Sequence, residues 1–147
     1  MFTHILLAVD GSRQTPRVVA LAAGLAAASG ARISVTCCVD ASYAVNSGSD
    51  PAGEITLYQP ACEEESAAAR IVREAMAQLH PLGEKVTGQV IVGDAAQALV
   101  AEATRQEASV IVMGHRHRGL VDRLLKGSVC ADIMATAPCP VLVEVRD

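Results

Sequence analysis

Five short apolar runs, kept apart by four helix-like stretches, limit what this chain can fold into. The runs are "HILLAVD" (4–10), "RISVTCCV" (32–39), "KVTGQVIVG" (85–93), "ASVIVMG" (108–114) and "APCPVLVEV" (137–145). Short apolar runs rich in β-branched residues read as strands. The first intervening stretch, Thr15 to Ala28, sets Val18, Leu21, Ala22 and Leu25 on one helical stripe. Thr15 is its expected cap, Pro16 suits its first turn and Gly30 ends it. From Ala61 to Leu79, Val72, Ala75, Met76 and Leu79 share a face behind the acidic start Glu63-Glu64-Glu65, and Pro81 and Gly83 break the pattern. Asp94 is placed to cap a third helix with Ala96, Leu99, Val100 and Ala103 inward. A fourth, Ser128 to Ala137, turns Cys130, Ile133, Met134 and Ala137 inward. Strands that alternate with helices pair in parallel through right-handed crossovers. The expected class is α/β, an open doubly wound five-stranded parallel sheet with helices on both faces.

Composition agrees with that plan. The chain's 147 residues fit one domain, 1–147, and show no internal repeat. Half of the residues are hydrophobic (51%) while only 2% are aromatic, so the core must be aliphatic. Strands buried on both faces under Ala-rich helices fit such a core. Residues 40–60, rich in Gly, Ser, Asn and Asp with two prolines, read as a long surface loop. The five cysteines, at 37, 38, 62, 130 and 139, show no C-x-x-C spacing and read as small hydrophobes in a reducing cytosol. A net charge of −4 weighs against a general nucleic-acid binder. No run of eighteen apolar residues suggests a membrane span, and the N-terminus lacks the basic and apolar regions of a secretory signal. A cytoplasmic location is the expectation.

In doubly wound sheets ligands collect beyond the carboxyl ends of strands, where the strand order reverses. Two strand ends carry the relevant residues: "AVDGS", ending at Asp10, and "VMG", ending at Gly114. If the first and fourth strands are neighbours, these residues border one crevice. Gly114 would let backbone approach a ligand or take positive φ. Gly127-Ser128 opens the last helix, where exposed N–H groups favour an anion. Between the two glycines lie His115, Arg116, His117, Arg118, Arg123 and Lys126, opposed only by Asp122. That pattern describes a phosphate cradle, with Asp10 accepting hydrogen bonds from a base or sugar. Plainer readings stand beside it: Asp10 as a turn residue, Gly-Ser as an N-cap, the cations as a solvated loop. His115-x-His117 lacks the third ligand that a metal site needs. With no activated nucleophile and no positioned base, no catalytic residue is expected, and at most slow turnover.

These residues together resemble the universal stress protein family over nearly the whole chain. "ILLAVDGS" is similar to the family's opening strand, "VIVMG" with "RLLKGSV" to its nucleotide-loop region, and "APCPVLV" to its final strand. The resemblance implies a Rossmann-like sheet of strand order 3-2-1-4-5, related to electron-transfer flavoprotein subunits. It also implies ATP as ligand, with or without Mg2+, and a homodimer paired through the C-terminal edge strand. ATP-binding members carry G-x2-G-x9-G-(S/T), here Gly114, His117, Gly127 and Ser128, with histidine at the second glycine. By that resemblance Asp10 and Val39 face the adenine, with Val9 beside them. Met113 and Gly114 line the nucleotide, and Gly127, Ser128 and Val129 receive phosphates, with Arg116 and His117 nearby. A histidine side chain competes with phosphate for space, yet its ring can also donate to one. A nucleotide-free dimer that recognises a client protein is therefore the alternative within the same family.

Overall fold

The computed structural model describes residues 2–40, 53–115 and 129–146, without the side chains of 40 and 53–65. In chain order the elements are β1 (His4–Ala8), α1 (Thr15–Ser29), β2 (Arg32–Asp40), α2 (Gly53–Gln78), a 3-10 segment (His80–Lys85), β3 (Val86–Gly93), α3 (Ala95–Arg105), β4 (Val110–Gly114), α4 (Val129–Thr136) and β5 (Val141–Glu144). The strands form one sheet in the order β3-β2-β1-β4-β5, and every pairing is parallel. This is the expected doubly wound arrangement.

Burial explains why β1 and β4 sit in the middle. Ile5, Leu6 and Leu7 have no exposed surface, and Val110, Ile111 and Val112 have almost none. A fully buried aliphatic side chain contributes about 1.5–3 kcal/mol, so these six residues favour positions covered on both faces. Successive strand residues point to opposite sides. Ile5 and Leu7 pack with Val18, Val19, Ala22, Val72 and Leu79 under α1 and α2. Leu6 packs with Leu99, Ala103, Cys130 and Ile133 under α3 and α4.

Several boundaries move from their expected places. Thr15 is the first residue of α1, and Gln14 occupies the cap position without a capping side-chain bond. The Thr15 hydroxyl donates instead to Asp10 Oδ1. Gly30 ends α1 as expected, its N–H donating to Ala26 O at 2.8 Å. The stretch read as a loop over 40–60 is helical from Gly53 onwards, while residues 41–52 lie outside the described residues. Asp94 caps α3 as expected, accepting from Gln97 N–H at 3.1 Å. In α4, Cys130 and Ile133 face inward, but Met134 is 56% exposed. One step of 100° beyond Ile133 carries its side chain off the buried stripe. β5 starts only at Val141, although the Pro140 carbonyl already accepts from Ile111 N–H. The prolines at 138 and 140 have no N–H to give.

Candidate crevice between the first and fourth strands

The two central strands part company at their carboxyl ends. The β1–β4 ladder holds Ile5 to Val110, Leu6 to Ile111 and Leu7 to Val112, then stops. β1 stays with β2 to the pair Ala8–Thr36, and Val9 N–H donates to Thr36 O at 3.0 Å. β4 stays with β5 to the pair Gly114–Glu144. A fork therefore opens at the point where the strand order reverses. Val9 and Asp10 stand on one bank, Met113 and Gly114 on the other. Val39 sits at the top of the adjoining β2, opposite Val92 of β3.

The individual residues differ in what they can offer. Val9, Val39 and Met113 are 6%, 7% and 5% exposed, so each presents backbone and a side-chain edge rather than a face. Asp10 is exposed. Its Oδ1 accepts from Ser12 N–H at 2.9 Å and from the Thr15 hydroxyl at 3.3 Å. That bond closes an Asx turn into α1, so the turn role expected as the plainer reading is present. Gly11 takes φ +74, and a Cβ there would stand 2.5 Å from Ile71 Cδ1 of α2. This corner is thus built from backbone that only glycine adopts without strain.

Gly114 is not among the positive-φ residues. A Cβ on it would meet Gln14 Oε1 at 2.4 Å and Val18 Cγ2 at 2.9 Å. Close packing of α1 against the end of β4 needs a residue without a Cβ here, and of the two alternatives read for this glycine the positive φ is not adopted. The residue responsible, Gln14, was missed by sequence reasoning. It is 2% exposed, and its Nε2 donates to Glu144 O at 2.6 Å and Arg146 O at 2.8 Å, with a longer contact to His115 O at 3.4 Å. Its signal in the sequence was its place four residues before Val18, on the helix's buried stripe.

His115 N–H also donates to Glu144 O, at 2.9 Å. The Glu144 side chain accepts from Arg146 through the backbone N–H, Nε and Nη2, each at 2.9 Å. Those bonds to the Arg146 side chain and backbone, with Arg17 adding a favourable field, hold the Glu144 carboxyl down at about 2. Val129, the first residue of α4, is 42% exposed. Arg116, His117, Gly127 and Ser128 lie outside the described residues. A separate recess of about 140 Å³ lies between α1 and α2, lined by Gly11, Ser12, Ile71, Glu74 and Gln78 among others. Its described charge is the carboxylate Glu74, which opposes an anionic ligand.

A doubly wound α/β domain whose central strands fork at the order reversal belongs to the class that takes ligands at that end of the sheet. The sequence profile described as the universal stress protein family matches residues 1–146, and the chain belongs to that family. A universal stress protein of Thermus aquaticus, described by its position in the 3' region of a QAH/OAS sulfhydrylase gene, is 35% identical over 143 residues, covering 97% of this chain and 98% of that protein. Among solved structures, the hypothetical protein MJ0577 superposes with a TM-score of 0.80 at 19% identity, covering 100% of this chain and 98% of that one. A universal stress protein solved in complex with cAMP gives 0.71 at 24% identity, covering 99% and 98%. One from Archaeoglobus fulgidus, in complex with dAMP, gives 0.67 at 21% identity, covering 97% of each chain. Among the described residues no helix is long and apolar enough to cross a membrane.

Proposed function

We propose that this chain binds ATP, with Mg2+ as its counter-ion, in the fork between β1 and β4. In this reading it serves as a cytoplasmic regulatory module of the stress response and works as a homodimer. The observation that carries the reading is the fork itself, with Asp10 and Gly114 on its two banks. The structures similar to this one that hold cAMP and dAMP support an adenine nucleotide as the ligand class. Val9, Val39 and Met113 then line the base. Gly127, Ser128 and Val129 receive the phosphates, and Arg116 and His117 add positive charge. The homodimer forms through β5, an edge strand in this sheet, near which Leu142 and Val145 are 37% and 54% exposed. Unpaired strand edges with apolar side chains invite a second strand.

The position of His117 favours one other reading, a nucleotide-free dimer that recognises a client protein. Isothermal titration with ATP and Mg2+ separates the two. Heat at or below millimolar ligand is expected, and its absence removes the nucleotide reading. Gly127→Val with Ser128→Ala should abolish that heat, and unchanged affinity would move the ligand elsewhere. His117→Gly then reports the histidine's part. A tenfold gain, about 1.4 kcal/mol, marks it as an obstruction, and a loss marks it as a phosphate ligand.

A further inference from the structure

We propose that Gln14 is a positioning residue that joins the mouth of the crevice to the β5 edge, so that ligand in the crevice and pairing across β5 tighten one another. This rests on the nucleotide and homodimer readings above. Three backbone segments far apart in sequence meet at one buried amide: the start of α1, the exit of β4 at His115, and the end of β5 at Glu144 and Arg146. An amide NH2 has two hydrogens. The two short bonds, 2.6 and 2.8 Å, go to the β5 side, and the 3.4 Å contact reaches His115. Glu144 O takes a second donor from His115 N–H, so the mouth and the edge share an acceptor as well. Gly114 contributes by lacking a Cβ, which leaves the amide room to enter.

β5 has four residues, so these side-chain bonds are a large part of what anchors it. His115 is the first residue after β4 and leads into the segment that carries the basic residues. A ligand held against His115 bears on the carbonyls of Glu144 and Arg146 through the same amide. A second β5 paired along the edge does the reverse. The ordering cost is met once for both events, which makes them cooperate and makes the effect reciprocal.

The test compares the dimer dissociation constant of the native chain, by sedimentation equilibrium, with and without saturating ATP. At least fivefold tightening is expected. Gln14→Met keeps the length and loses the donors, and it should bring the ratio to within twofold of one while ATP still gives heat. A lowered Tm with the fivefold ratio intact would mean that Gln14 is merely structural, and would overturn the proposal. Amide exchange on the native chain covers the case in which the variant does not fold: His115 and Arg146 N–H should slow together on adding ATP. Slowing at His115 alone overturns the coupling. Heat from ATP with an unchanged dimer constant sinks the coupling and spares the nucleotide reading. No heat sinks both.

Discussion

The two edges of the sheet are held by different means. β3 runs for eight residues and is in register with β2 over all eight, from Val86 opposite Ile33 to Gly93 opposite Asp40. Gly88 lets Val72 and Met76 of α2 lie directly against the strand. On the other face, Gln89 donates to Glu102 of α3 at 2.9 Å and to Thr36 of β2 at 3.3 Å. β5 has four ladder positions and follows two prolines. Beyond that ladder, its end is tied down by one glutamine amide, which donates to the carbonyls of Glu144 and Arg146. A long edge can rest on its ladder and on packing, whereas a short one depends on a few directed side-chain bonds.

Substitutions can break that contrast from either side. The largest effect is expected at the long edge. In Gly88→Val the new Cβ would stand 2.4 Å from Met76 Sδ and 2.6 Å from Val72 Cγ1. Overpacking of this kind costs about 3 kcal/mol, and the midpoint of chemical denaturation should fall for the whole domain. Gln14→Ala leaves the Arg146 carbonyl without its buried donor, an omission worth roughly 1 to 2 kcal/mol. Its effect should be local: amide exchange speeds up at Val143, His115 and Arg146 while β3 amides keep their protection. Equal acceleration at both edges would erase the distinction.

Acid gives the smallest effect and the sharpest comparison, because among the described residues each edge has one depressed carboxyl. Glu102 lies at about 2, chiefly through its hydrogen bond to Arg105, with Gln106 and Gln89 helping. Glu144 lies at about 2 through Arg146. A carboxyl lowered in the folded state adds stability above its ordinary value of 4.5, and that stability is lost as pH falls towards 2. Denaturation midpoints should therefore decline over that window. Glu102→Gln should remove the β3 share of the decline and Glu144→Gln the β5 share, and identical curves for both variants would contradict the assignment.

The layers were legible because burial is written in the aliphatic pattern. Ile5, Leu6 and Leu7 had to be covered twice, and the alternation of strands and helices pointed to a doubly wound sheet, whose strand order came from the family resemblance. Asp94 was legible as a cap because its chemistry is local. Residues 53–60 were not read as helix, since Gly, Pro and polar residues there outweighed any stripe. Met134 was misassigned because apolarity alone cannot say which side of a short helix a residue faces. At the crevice Gly114 stands at the end of β4 as read, whereas β1 ends at Ala8, two residues short of Asp10. The sequence could not show that Gly114 answers to Gln14, because that contact joins residues a hundred positions apart. Hydrophobic periodicity carries no record of where a lone buried amide points.

The parting of β1 from β4 after Leu7 and Val112 makes the opening wedge-shaped, with its apex at that last ladder pair. A guest's depth is then governed by its breadth: a flat ring can sink towards the apex, while bulky or strongly hydrated groups ride at the rim. One more rung between Ala8 and Met113 would raise the floor, and an engineer could use that single pairing to set what size of molecule the domain admits.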